Sequence, residues 1–197
     1  MDKRTFRYFA LLRKMNPYLE GKVLDFGCGD GSITSVFIPL NSKNNFFAYD
    51  GPETGEHDVK NMLSQAKILL KNRANVIERK EYLQEGYFDV ITLICMLHGN
   101  ENIIEECHPY LKKGGHLIIL DHDKSHLTDE DYIESIADAD LKEIMQRNYN
   151  DVLRDHTRMD LYDCCRITRG MRYKTVKTLN HRTLDGFPFY LCISQKN

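Results

Sequence analysis

The stretch Val23-Leu24-Asp25-Phe26-Gly27-Cys28-Gly29-Asp30-Gly31-Ser32 constrains this chain more than any other. An apolar β-type run ends in a turn with glycines at 27, 29 and 31, and a helix-like run, Ile33 to Ile38, follows. Glycine serves where the backbone takes a positive φ or must let a ligand come close. The first amides of a helix lack internal partners and suit an anionic group such as a carboxylate. Asp25 precedes the turn. A second acid, Asp50, ends the next apolar run, Phe46-Phe47-Ala48-Tyr49, where it is placed to bind a ribose diol. The turn alone would serve equally as a tight strand–helix connection. Turn, helix and strand-end acid together predict a nucleoside ligand.

The rest of the chain repeats the alternation of strand and helix. Residues 4–15 carry apolar or aromatic side chains at 6, 8, 9, 11, 12 and 15, the spacing of a one-sided helix, which Pro17 stops. Strand one is expected at 22–26, a helix at 31–38, strand two ending at Tyr49, and a helix carrying Val59, Met62, Leu63, Ala66, Leu69 and Leu70. A short third strand is expected at 74–78. Residues 87–94 are nearly continuous β-formers, as in a strand buried on both faces. A helix over 100–111, disturbed by Pro109, leads through Gly114-Gly115 into strand five at 116–121. Thr128-Asp129-Glu130-Asp131 reads as a capping-box-like helix start, and 140–170 as one or two further helices. A loosely alternating run over 171–180 and a β-run over 187–194 flank Leu184-Asp185-Gly186, which reads as a hairpin turn.

Three segments together resemble class I S-adenosylmethionine (SAM) methyltransferases. Leu24-Asp25-Phe26-Gly27-Cys28-Gly29-Asp30-Gly31 looks like their first motif; its G-x-G-x-G spacing differs from the dinucleotide fingerprint G-x-G-x-x-G. Phe88 to His98 resembles their fourth-strand segment, and Leu111 to Ile119 their turn into strand five. The likeness spans about residues 20–122 and is similar to both small-molecule and mRNA cap guanine N-7 enzymes. It implies an α/β fold: a Rossmann-like, doubly wound seven-stranded sheet with helices on both faces and a C-terminal antiparallel hairpin. It implies one domain over 1–197: an N-terminal helix over the pocket (1–20), a SAM-binding half (21–122), and an acceptor side with the terminal hairpin (123–197). The implied cofactor is SAM, with S-adenosylhomocysteine (SAH) as product, held by Asp25, Gly27, Cys28, Gly29, Gly31, Asp50, Gly51 and Cys95. Many relatives place an acid for the adenine amine after strand three; here Arg79-Lys80-Glu81 offers Glu81.

Composition narrows the setting. At 197 residues, with 42% hydrophobic and 28% charged side chains, the chain has the make-up of a soluble globular protein. No apolar run approaches the ~20 residues of a membrane helix. Met1-Asp2-Lys3-Arg4 is not followed by a signal-type apolar core, so a cytoplasmic location is expected, with no membrane partner. Six cysteines, none in a C-x-x-C pair, argue against a zinc site or a disulfide framework. The net charge of −2 hides a division: residues 1–22 carry six Lys/Arg against two Asp/Glu, residues 23–150 carry 12 against 22, and residues 151–197 carry nine against five. Basic ends around an acidic centre either pair with that centre or mark a polyanionic partner.

The acceptor is sought after strand four, at the carboxyl end of the sheet. Cys95-Met96-Leu97-His98-Gly99-Asn100 lacks the acidic-Pro-Pro-aromatic signature of base-amine methylation, the Pro-Cys of cytosine chemistry, and the Asp of ribose methylation. His98 and Asp123 are the candidate catalytic residues. Asp121, His122, Asp123 and His126 would hold a divalent metal only if the segment were helical, and it lies just past a strand, so no metal is expected. Arg154, Arg158, Arg169 and Arg172 with Tyr173 have the profile of a nucleic-acid surface, arginine for phosphate and an aromatic for stacking; a solvated helix face is the alternative. The leading expectation is methyl transfer to capped RNA at guanine N-7, which needs positioning rather than a base. The alternatives are a small-molecule methyltransferase with His98 or Asp123 as base, or a SAM-binding domain without activity.

Overall fold

The computed structural model describes residues 11–39, 42, 45–51, 59–97, 102–123, 160–182 and 188–197. Helix α1 (residues 11–15) is followed by β1 (Val23–Phe26), α2 (Thr34–Phe37), β2 (Phe46–Tyr49), α3 (Val59–Leu69), β3 (Asn75–Ile77), β4 (Phe88–Ile94), α4 (Ile103–Cys107), β5 (Leu111–His122), α5 (Leu161–Gly170), β6 (Tyr173–Arg182) and β7 (Pro188–Lys196). The seven strands form one sheet in the order β3-β2-β1-β4-β5-β7-β6. β1 to β5 run parallel, and β7 enters antiparallel between β5 and β6. The order reverses at β1/β4, so the carboxyl ends of these strands flank the switch point where such sheets take their ligands.

Side-chain alternation builds the two layers. Val23, Phe46, Ala48, Val90, Ile94, Ile118, Leu120, Leu191 and Ile193 face one side, where Leu11, Leu12 and Met15 of α1, Phe37 of α2, and Leu63 and Ala66 of α3 cover them. Leu24, Phe26, Tyr49, Ile91, Leu93, Leu117, Ile119, Tyr190 and Cys192 face the other, under Ile103, Ile104 and Cys107 of α4 and Cys164 of α5. Phe88 packs with Ile91 and Leu93 instead of with Val90. The β4–β5 register shifts between Phe88 and Val90, which moves Phe88 to the opposite face.

The expected elements are present with corrected bounds. The helix expected over 31–38 is regular only over Thr34–Phe37, because the glycine-rich turn takes up residues 29–33. Of the helix expected over 100–111, α4 occupies 103–107 and a 3-10 turn follows at His108–Tyr110; Pro109 has no amide to continue the α-helix. Strand five begins at Leu111, not at 116. Leu111 pairs with Phe88 and His116 with Val90, so Lys112 to Gly115 bulge within the strand, and Gly114 takes φ +78°. The terminal hairpin pairs over nine positions from Tyr173↔Lys196 to Arg182↔Pro188. The turn and helix expected at 184–186 and from 128 lie outside the described residues. All six cysteines are free, and among the described residues no helix is long and apolar enough to cross a membrane.

Candidate active site

The glycine-rich turn folds back on the end of β2. The amides of Gly27 and Cys28 both donate to the Tyr49 carbonyl, at 2.7 and 3.0 Å, and Gly31 donates to the Cys28 carbonyl at 2.9 Å. Gly29 donates to Asp50 Oδ2 at 2.8 Å, Gly51 to Asp50 Oδ1 at 3.0 Å, and Ser32 to Asp30 Oδ1 at 2.9 Å. The sequence suggested a helix start with amides open to an anion; instead the amides of 27, 28 and 29 find partners at the end of β2, and those of 31 and 32 within the turn. What the turn leaves open is backbone surface. Gly29 takes φ +54°, and a Cβ built there meets nothing within 4 Å. Gly27, at φ +92°, has the opposite surroundings: a Cβ there would lie 2.3 Å from Met96 Sδ.

Asp25 sits beneath this turn at 3% exposure. Thr34 Oγ1, at the start of α2, donates to one oxygen at 2.5 Å, and Thr92 Oγ1, its register partner on β4, donates to the other at 2.8 Å. Burial pushes the carboxyl up from 3.8 to about 6; the two hydroxyls oppose the rise and the charge of Asp50 adds to it. Both oxygens are therefore engaged by protein, and Asp25 fastens β1, β4 and α2 beneath the turn. Asp50 is buried one residue past β2 and draws Gly29 against the strand end. Cys28 is buried too, and burial, with the Asp25 and Asp50 charges, pushes its thiol well up, so it stays protonated.

Opposite the turn, β4 ends in a strained corner. Cys95 takes φ +57°, a left-handed conformation that costs a non-glycine residue about 1–3 kcal/mol. Its amide donates a hydrogen bond to the Leu120 carbonyl at 2.8 Å, which holds the corner. Met96 then packs against Gly27, and the Leu97 amide donates to buried Asp121 Oδ2 at 2.7 Å. Asp123, 8% exposed, lies just past β5 on the same edge. Asp121 pairs across the sheet with Tyr190, which is fully buried and whose hydroxyl has no hydrogen-bond partner among the described residues.

The structure thus gathers Asp25, Gly27, Cys28, Gly29, Gly31, Asp50, Gly51, Cys95 and Asp123 at the carboxyl edge. Glu81 is exposed on a 3-10 turn after β3. His98, Arg154 and Arg158 lie outside the described residues. Arg169 and Arg172 are exposed at the other edge: α5 runs down to Gly170, and β6 begins where Tyr173 pairs with Lys196, past the His116↔Gln195 pair of β5 and β7. Tyr173 is corrected as a stacking platform. It is 3% exposed, and its hydroxyl lies 2.8 Å from His108 Nδ1. A cleft of about 430 Å³ lined by Tyr18, Asp89, Lys112, Lys113 and His116 also opens at this amino edge, away from the glycine turn. Sequence reading missed Thr34, Thr92, Met96 and Asp121 as supports of the site. Thr92 was findable, as a polar residue inside an apolar strand.

This sheet order with a glycine turn and strand-end acid at the switch point defines a class I SAM-dependent methyltransferase. Residues 2–182 match the family model described as a methyltransferase domain, and the chain belongs to that family. No curated protein sequence matches the chain. Among solved structures, a SAM-dependent methyltransferase from Archaeoglobus fulgidus is similar at TM-score 0.64 and 17% identity, covering 98% of this chain and 94% of that one. One from Mesorhizobium loti gives 0.63 and 15%, covering 96% and 98%. The magnesium protoporphyrin IX methyltransferase of Synechocystis PCC 6803, with SAH bound, gives 0.61 and 13%, covering 98% and 84%. The residues at the carboxyl edge fit SAM: the open flank of Gly29 admits close approach, and Asp50 stands at the end of the adjoining strand.

Proposed function

We propose that this methyltransferase acts on a small organic acceptor held at the carboxyl edge beyond β4 and β5. The observation that carries the choice is the placement of the arginine–tyrosine surface. Arg169 and Arg172 lie at the amino edge and Tyr173 is buried, so they do not form an RNA track beside the donor. The magnesium protoporphyrin IX enzyme, whose fold is similar, is named for a small-molecule acceptor. Capped RNA therefore gives way to the small-molecule reading.

SAM supplies a methyl carbon activated by its sulfonium. The turn Gly27–Gly31 takes the backbone-contacting side of the donor, Asp50 and Gly51 take the ribose, and Glu81 is the candidate for the adenine side. Asp25 and Cys28 act from beneath by fixing the turn. Cys95 and Met96 flank the methyl-bearing side, and Asp121 fixes their height through the Leu97 amide. Holding the acceptor atom in line with the methyl accounts for much of the rate. For an acceptor that must lose a proton, Asp123 or His98 takes it.

The test offers methyl-labelled SAM with a nuclease-treated metabolite extract and, separately, with capped RNA. Label is expected in the small-molecule fraction, unchanged by an Arg169→Ala/Arg172→Ala double variant. Label in RNA, lost in that variant, would overturn the proposal.

A further inference from the structure

Half of the cysteines converge at one place that the methyl-transfer site does not use. Cys164 and Cys165 are consecutive on α5, and Cys192 lies midway along β7, beneath that helix. Cys165 Sγ and Cys192 Sγ are 3.9 Å apart, and Cys192 Sγ lies 3.6 Å from Ser194 Oγ. We propose that Cys165 and Cys192 are a peroxide-responsive dithiol site that closes to a disulfide between α5 and β7.

The two members differ in the way such chemistry requires. Cys192 is fully buried, and hydrogen bonds from Cys164 first, then from Ser194 and Cys165, hold its thiol below the ordinary range against the opposing effect of burial. The thiolate is the nucleophile. Cys165 is half-buried and lines a cleft of about 270 Å³ with Tyr162, Arg166, Arg169 and Gly170. Burial pushes its thiol up, so it keeps its proton. The cleft admits a small hydroperoxide as far as Cys165, and the Cys192 sulfur lies 3.9 Å behind that of Cys165. Cys164 is buried, and its bond to Cys192 together with burial pushes its thiol up. It therefore supports the Cys192 thiolate and does not compete with it.

The electrons balance with one peroxide. The Cys192 thiolate attacks the O–O bond, forming S–O and releasing hydroxide, which takes a proton from solvent to become water. The Cys165 sulfur then displaces the sulfenic oxygen, forming S–S, and that oxygen leaves as a second water carrying the Cys165 proton. Two thiols are oxidised and one peroxide is reduced. The sulfurs must approach from 3.9 Å to about 2.05 Å, a movement within reach of a helix lying on a strand.

The experiment treats the full chain with hydrogen peroxide near neutral pH, counts thiols after unfolding, and maps tryptic peptides without reduction. The count is expected to fall from six by two and to recover with dithiothreitol. Residues 159–166 are expected linked to residues 183–196. The first peptide carries both Cys164 and Cys165, so C164S should keep the link and C165S should lose it. Fragment ions of the wild-type linked peptide locate the bridge even if a variant fails to fold. Persistence of all six thiols, sulfinic acid at Cys192 without a link, or a link to Cys164 would overturn the proposal.

Discussion

Replacing Asp25 by Asn removes the charge held beneath the glycine-rich turn by Thr34 and Thr92. Burial raises its carboxyl from 3.8 to about 6 despite the hydroxyls of Thr34 and Thr92. That rise corresponds to about 3 kcal/mol between the charged and neutral forms. The native state therefore holds the proton more tightly than the unfolded chain between about pH 4 and pH 6. Stability falls as pH rises through that window, and above it the carboxylate costs the fold about 3 kcal/mol. Asparagine imitates the neutral acid, since its oxygen accepts one threonine hydroxyl and its amide donates to the other oxygen. Asp25→Asn is thus expected to outlast the parent in urea near pH 7.5 by up to about 3 kcal/mol, with the gap closing toward pH 4. Urea melts followed by circular dichroism at steps from about pH 4 to pH 8 measure this difference directly. A gap that does not change with pH, or a parent that is the more stable at pH 7.5, would refute the argument.

The two glycines of the turn give a contrasting pair. Gly29→Ala meets open space and bears only its left-handed φ, so it should cost about 1–2 kcal/mol of stability while weakening SAM binding at least tenfold by calorimetry. Gly27→Ala must also displace Met96, so it should cost more, about 3 kcal/mol by thermal melting. If Gly29→Ala binds SAM as the parent does, the donor does not approach the turn from that flank. Tyr173→Phe removes the bond to His108 and should cost about 1 kcal/mol in melting with methyl transfer unchanged; a fall in turnover would return Tyr173 to the site. Oxidation of Cys165 and Cys192 closes a loop across 27 positions and should stabilise the chain by about 3–4 kcal/mol, seen as a higher melting temperature that reductant reverses.

Much of the sheet was legible because its signals are local. β-formers over 87–94, the acid after Tyr49, and the alternation before Gly186 each report on a few neighbouring residues. What stayed hidden depends on pairing across the sheet. Asp25 faces Thr92 only because β1 and β4 pair in that register, and a carboxylate read as a ligand contact is instead a buried peg between two hydroxyls. Lys112-Lys113-Gly114-Gly115 read as a turn, yet Leu111 ahead of it already pairs with Phe88, so the turn is a bulge inside β5. The basic residues after 150 suggested a polyanion surface, but charge along a chain says nothing about which end of a sheet it reaches. Arg169 and Arg172 reach the far one.

The position of β7 has a consequence for the order in which the molecule comes apart. Among the described residues β6 has no neighbour in the sheet except β7, so any opening that frees β7 from β5 releases both strands together, while β6 can peel away and leave the remaining six in place. In amide exchange, protection along Tyr173–Arg182 therefore cannot outlast protection along Pro188–Lys196. The outermost strand acts as a fuse, and the one beside it decides whether the sheet survives.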